Sequence, residues 1–159
     1  MFNIVLVSPQ IPQNTGAIGR LCVNANLRLH IIKPTVFDLS EKAVRRAGLD
    51  YWKILEPKIW ESLNEFLEEN IKLKDRFFFA TTKTNNNYFE ANFKTGDFIF
   101  FGGESTGLPE TLMDIMPKNK ITIPMGKNGR SLNLAISTGI IAYEAIRQNI
   151  NEFDFREKI

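Results

Sequence analysis

The 159-residue chain has one cysteine, Cys22, and one histidine, His30. A lone thiol excludes an intramolecular disulfide, and a single His beside it cannot build a Cys/His zinc site, so no metal is expected. Charge of either sign is nearly balanced, with 20 Lys and Arg against 18 Asp and Glu. A formal +2 permits a nucleic-acid partner without arguing for one, because an electrostatic footprint needs clustering rather than a total. Long hydrophobic runs are missing too. The main apolar stretch without charge lies between Arg130 and Glu144, is broken by Asn133, Ser137 and Thr138, and is too short for a membrane span. The opening Met1-Phe2-Asn3-Ile4-Val5 has no basic segment and soon meets Pro9, so no signal peptide is expected. A soluble, cytoplasmic protein with no membrane partner is the default reading. Linkers, internal repeats and low-complexity tracts are also absent, which predicts one domain over residues 1–159 with a charged, peripheral tail at 149–159.

What is present has the proportions of a globular protein, 43% hydrophobic and 24% charged. Short apolar runs at 3–7, 29–32, 76–80, 98–101 and 121–123 read as strands. Phe77-Phe78-Phe79 and Phe98-Ile99-Phe100-Phe101 are apolar at successive positions, the pattern of strands covered on both faces. Helical patterns at 15–25 (after Asn14, a candidate cap), 40–47, 59–69, 108–116 and 131–148 alternate with them. The fold class is therefore α/β with a mostly parallel sheet flanked by helices. In the segment 59–69, Ile59, Leu63, Phe66 and Leu67 form one stripe. In the last helix Leu132, Leu134, Ile136, Ile140, Ile141, Tyr143 and Ile146 leave almost no polar face, so it needs cover on more than one side, which a second subunit would supply.

Open parallel sheets bind ligands where loops converge at the carboxyl ends of strands. Three such loops are rich in glycine and polar residues. Ser8 to Arg20 contains Asn14-Thr15-Gly16 and Gly19 and runs into a helix start, either an anion site or a capped helix with a solvent-facing Arg20. Phe101-Gly102-Gly103-Glu104-Ser105-Thr106-Gly107-Leu108 follows an all-apolar strand. It lacks the Lys-Ser/Thr of a Walker loop and the glycine spacing of a dinucleotide fingerprint. It is either a turn whose backbone touches a ligand or a glycine turn capped by Glu104. Ile123-Pro124-Met125 leads through Gly126-Lys127-Asn128-Gly129-Arg130 to Ser131-Leu132-Asn133. The Asn133 carboxamide, opening an apolar helix, needs partners from backbone or ligand.

Taken in order, Asn14-x-Gly16-x-x-x-Arg20, Phe101-Gly102-x-Glu104-x-x-Gly107-Leu108 and Ile123-Pro124-Met125 with Arg130-Ser131-Leu132-Asn133 resemble the three motifs of SPOUT RNA methyltransferases of the TrmH type. The likeness is strongest to their single-domain TrmL (YibK-like) branch, the tRNA (cytidine/uridine-34-2′-O)-methyltransferases. Arg28-Leu29-His30-Ile31-Ile32, Arg45-Arg46-Ala47-Gly48-Leu49-Asp50-Tyr51, Thr81-Thr82-Lys83 and Tyr143-Glu144-Ala145 extend it from about Met1 to Gln148. Gly103, Ser105-Thr106 and the 126–129 loop fill positions that vary within the family.

The resemblance implies a deep C-terminal trefoil knot with S-adenosylmethionine, the methyl donor, bent into its crevice against Ala80, Gly102, Ile123, Ser131 and Leu132. A bulky residue in place of Gly102 is expected to enter that crevice. It implies a homodimer through the first and last helices. Arg20 corresponds to the family's catalytic arginine. A guanidinium with a pKa above about 12 is a poor proton acceptor, so its role is to hold a phosphate beside the ribose while a phosphate oxygen or water takes the proton. Asn14 and Glu104 would orient Arg20 and the loops, and Asn133 would bond ribose or cofactor. The implied substrate is the wobble nucleotide, position 34 (C or a modified U), of leucine tRNAs. A compact chain with a charge of +2 suits an anticodon stem-loop, whose splayed bases leave a ribose accessible. Lys42, Arg45, Arg46, Lys127 and Arg130 are the candidate phosphate contacts. Cys22 and His30, each between apolar neighbours, read as packing residues, and Trp52 and Trp60 as core. Three alternatives stay open: a 2′-O-methyltransferase for another RNA site, a nonenzymatic RNA-binding homologue, and a flavodoxin-like protein binding a small nucleotide at the same strand ends.

Overall fold

The computed structural model describes residues 1–40 and 51–155, so Lys42, Arg45, Arg46 and most of the segment 40–47 lie outside the described residues. Six strands, β1 (Asn3–Val7), β2 (Arg28–Ile32), β3 (Lys58–Trp60), β4 (Phe77–Ala80), β5 (Phe98–Gly102) and β6 (Lys120–Ile121), form one sheet in the order β3-β2-β1-β5-β4-β6. Every pairing is parallel. Five helices accompany them among the described residues: α1 (Pro12–Asn24), α2 (Trp52–Leu55), α3 (Leu63–Asn70), α4 (Glu110–Met113) and α5 (Leu134–Gln148).

The continuous apolar strands feed two cores, one on each face of the sheet. Ile4 and Leu6 of β1, Leu29 and Ile31 of β2, and Ile99 and Phe101 of β5 pack with Ile18 and Cys22 of α1 and with Ile141, Ala142 and Ala145 of α5. The alternate residues Val5, Val7, Phe98 and Phe100 turn to the other face, where they meet Trp60, Phe66, Phe77, Leu112 and Met113. Alternation survives inside an all-apolar run because both faces are buried.

Several boundaries differ from the sequence reading; the helix expected at 108–116 shortens to Glu110–Met113, and the one at 131–148 starts at Leu134. Asn14 is no cap: α1 starts at Pro12, whose missing N–H is harmless at the first helical position, and Asn14 sits buried one turn in. Ile59 does not belong to an apolar helix stripe, because residues 58–60 form the edge strand β3. The helix there starts after Ser62, whose hydroxyl accepts from the Glu65 N–H at 3.1 Å, while the Glu65 carboxylate accepts from the Glu61 N–H at 2.6 Å. Ser62-x-x-Glu65 is the local sequence signal that marks this helix start. The strand at 121–123 is shortened to Lys120–Ile121, with Thr122 making only an isolated bridge to Asn87. Of the tail, Phe153 stacks on Phe2 with ring centroids 5.9 Å apart, and Phe155 stacks on Phe153 at 5.6 Å.

Between β1, β2 and β3 lies a buried polar chain. The Trp60 indole N–H donates to His30 Nδ1 at 3.1 Å, which leaves Nε2 as the protonated nitrogen, donating to Asn3 Oδ1 at 3.2 Å. Burial, with Arg28 and Lys58 nearby, pushes the His30 pKa down from 6.5 to about 4. The unfolded chain therefore binds a proton that the folded one refuses between those values. Stability from this source is full above pH 6.5 and falls as the pH drops toward 4. Going from pH 7 to 5 is expected to cost about 2 kcal/mol, read as a lower urea midpoint, and His30→Gln, which keeps a donor and an acceptor without titrating, should flatten the slope. Cys22 is fully buried, and burial pushes its thiol up to about 12. Both residues serve packing, as their apolar neighbours suggested.

Candidate active site

A cavity of about 600 Å³ opens at the carboxyl ends of β4, β5 and β6. Ala80 closes β4, Gly102 closes β5, and Ile121 to Ile123 lead out of β6, so three adjacent strand ends deliver their loops to one place. Ala80, Gly102, Ile123, Ser131 and Leu132 all line it, as do Asn14, Glu104 and Asn133.

The three motif loops are tied together by side chains. The Glu104 carboxylate accepts from the backbone N–H groups of Gln10 and Ile11, at 2.7 and 3.1 Å, and from Asn14 Nδ2 at 3.0 Å. Asn133 Nδ2 in turn donates to Asn14 Oδ1 at 2.9 Å. Asn133 Oδ1 accepts from the N–H groups of Ala135 and Ile136 and so caps α5. The chain Glu104–Asn14–Asn133 thus links the loop after β5 to the start of α1 and then to the start of α5. Both carboxamides have fixed partners where the loops cross, Asn14 buried in α1 and Asn133 exposed at the start of α5. Gln10 adds a second tie, its Oε1 accepting from the Ser105 N–H at 2.7 Å and hydroxyl at 2.8 Å. The polar sequence of residues 8–13 hinted at such a role without revealing its partner.

Gly102 has a different neighbour from the one the sequence suggested. A Cβ there would meet the Gly107 carbonyl carbon at 2.0 Å and the Leu108 nitrogen at 2.3 Å, so the close approach is made by the chain's own loop. Around Gly107, at φ +67, and Gly126 a Cβ would meet open space.

Arg20 does not line the cavity. It is exposed on α1, with Cζ 5.7 Å from the centroid of the Tyr51 ring. Lys127 and Arg130 are exposed on the loop between Met125 and Ser131, the two lining residues that flank it, and the Gly129 N–H donates to the Gly126 carbonyl to close its turn. The sequence reading gave no role to Thr81, Thr82 and Lys83, which all line the cavity. Their place directly after β4 was the available signal. Among the described residues no group of His, Cys, Asp and Glu could hold a metal ion, and no helix is long and apolar enough to cross a membrane.

A cavity of this size suits a ligand such as a nucleoside with an attached amino acid. Its lining sets the hydroxyls and amides of Asn14, Thr81, Thr82, Ser131 and Asn133 beside Leu108, Ile121, Ile123 and Leu132, with Lys83 and Glu104 as its charged residues.

Comparison with known proteins points the same way. The model of the SpoU rRNA Methylase family matches residues 1–143. A tRNA (cytidine(34)-2′-O)-methyltransferase of Escherichia coli (strain K12) is 43% identical over 150 residues, covering 93% of this chain and 94% of the relative. A solved structure described as giving structural insights into the 2-OH methylation of C/U34 on tRNA superposes with a TM-score of 0.86 at 39% identity, covering 95% of this chain and 97% of that one. The fold is shared with the SpoU methyltransferase AviRb from Streptomyces viridochromogenes, solved in complex with the cofactor AdoMet. That likeness has a TM-score of 0.81 at 21% identity and covers 94% of this chain and 60% of the other.

Proposed function

The chain belongs to the SpoU rRNA Methylase family, and from that premise we propose that it transfers a methyl group from S-adenosylmethionine to the 2′-hydroxyl of the wobble nucleotide, position 34, of tRNA. The substrates are leucine tRNAs bearing C or a modified U there. The observation that carries this reading is the Glu104–Asn14–Asn133 chain, which holds the three motif loops around one cavity. Ala80, Gly102, Ile123, Ser131 and Leu132 bind the donor, whose sulfonium supplies an electrophilic methyl.

The chain's own part is to position. Most of the acceleration comes from holding the ribose oxygen in line with the methyl. Arg20 grips a phosphate next to that ribose, and a phosphate oxygen or water takes the hydroxyl proton. Asn14 and Glu104 hold the loops, and Asn133, with one amide hydrogen still to give, reaches ribose or donor. Lys42, Arg45, Arg46, Lys127 and Arg130 contact the anticodon stem-loop backbone, so binding weakens as salt rises.

The domain is single and works in the cytoplasm, where its tRNA substrate is found. A homodimer fits α5, whose Ile136 and Tyr143 are 56% and 50% exposed along one face with Ile140 between them. The trefoil knot is supported by the chain path. β6 stands at the sheet edge, residues of the segment 122–133 share the cavity lining with Ala80 and Gly102, and α5 then packs against α1.

The test is to incubate unmodified tRNA with purified protein and labelled donor and to map the product by mass spectrometry of nuclease digests. A 2′-O-methyl group at position 34 is expected. Methylation of a ribose in the D-arm or T-arm, or of a base, would overturn the wobble assignment.

A further inference from the structure

Only two charged side chains line the cavity among the described residues, Glu104 and Lys83. Glu104 is committed, accepting three hydrogen bonds from Gln10, Ile11 and Asn14. Lys83 is not held in that way. It stands just past β4, in a turn where its N–H donates to Thr81 Oγ1 at 3.2 Å, and its Nζ lies 2.6 Å from Glu110 Oε1 at the start of α4. The two side chains are 67% and 55% exposed, so this pair ties the cavity wall at Lys83 to the start of α4 through water-accessible groups. A pair of that kind contributes about 1 kcal/mol or less and gives way readily to a better-placed anion.

The donor named above has one anionic group, the α-carboxylate of its methionyl end, while its nucleoside carries no phosphate. The remaining lining is neutral, with Thr81, Thr82, Ser131 and backbone groups among apolar side chains. The donor's sulfonium and α-ammonium are cations themselves, so its α-carboxylate is the one group that Lys83, the one cation of the wall, can pair with. We propose that Lys83 is the receptor for the donor's α-carboxylate, exchanging Glu110 for it when the cavity fills. The nucleoside is recognised by the strand-end loops and the amino-acid end by Lys83, so the two halves of the donor are read by separate parts of the wall. This rests on S-adenosylmethionine being the donor.

Two thioethers divide the question, and calorimetry on the full chain reads both. S-Adenosylhomocysteine has the carboxylate, and 5′-methylthioadenosine has the nucleoside without the amino-acid end. Lys83→Gln is expected to weaken the first by about five- to tenfold and to leave the second within about twofold. Glu110→Gln, which removes the competing carboxylate, should keep or tighten binding of the first. Unchanged binding of S-adenosylhomocysteine by Lys83→Gln would overturn the assignment and leave the donor reading standing. Equal weakening of both ligands would also overturn it, since it would make Lys83 a general support of the wall. If the wild-type chain binds neither compound, the donor reading fails, and the inference with it.

Discussion

Arg20→Ala is expected to lower methyl transfer by about a hundredfold or more while leaving donor affinity within about twofold. The separation follows from position. Asn14, on the same helix, lines the cavity, whereas Arg20 is exposed and directed toward Tyr51. A residue outside the donor's wall has little influence on donor binding. A guanidinium that stays protonated cannot collect the ribose proton, but its planar fork can fix a phosphate and hence the ribose attached to it. Misplacing a reacting oxygen by about an ångström is enough to cost that hundredfold. Arg20→Lys should recover only part of the rate, because an ammonium cannot reproduce the two-pronged grip. Calorimetry with S-adenosylhomocysteine and single-turnover methylation of tRNA measure the two halves. If Arg20 served only to cover Tyr51, its loss would cost about 0.5–1 kcal/mol of stability and no rate, and near-normal turnover would remove it from the mechanism.

Those two halves were not equally legible in the sequence. The sheet was, because strands buried on both faces leave unbroken apolar runs such as Phe98-Ile99-Phe100-Phe101. So were the residues of the cavity wall, since glycines and carboxamides directly after strands have few purely local explanations. The edge strand β3 was hidden because a short run holding one buried residue, Trp60, has no period of its own and borrowed that of the helix behind it. The hydrogen-bond chain was beyond reach for another reason. Asn14 and Glu104 are 90 residues apart, and Asn14 and Asn133 are 119 apart. Local patterning reports which face a residue turns to the core. It does not report which distant amide meets it there, and that pairing is set by how the sheet orders its strands. Lys83 drew no role from the sequence for a similar reason: a lysine after a strand is ordinary until the wall around it shows no other cation.

Gly102→Ala should abolish detectable donor binding, although the substitution adds a single methyl group. The new Cβ would lie 2.0 Å from the Gly107 carbonyl carbon and 2.3 Å from both its oxygen and the Leu108 nitrogen. These are backbone atoms, so no rotamer change can relieve the clash, and the loop itself must move. That loop is closed by the Gly107 N–H donating to the Gly103 carbonyl at 2.8 Å and anchored by Leu108 in the core beside Leu112 and Met113. It also carries Glu104, whose hydrogen bond to Asn14 joins the first and second motifs. Displacing it therefore deforms the cavity wall and loosens the link between motifs together. The expected loss of stability is about 2–4 kcal/mol, seen as a lower midpoint in thermal or urea unfolding. Gly107→Ala isolates the cause. Gly107 has φ +67 with open space where a Cβ would go, so that variant meets backbone strain of about 1–2 kcal/mol and no collision. It should fold slightly less stably and still bind S-adenosylhomocysteine within a few-fold. If Gly102→Ala bound the donor like the wild type, the contact between the end of β5 and residues 107–108 would not be what shapes the site. If both variants failed alike, the left-handed turn at 107, rather than the close approach at 102, would be the feature on which the cavity depends.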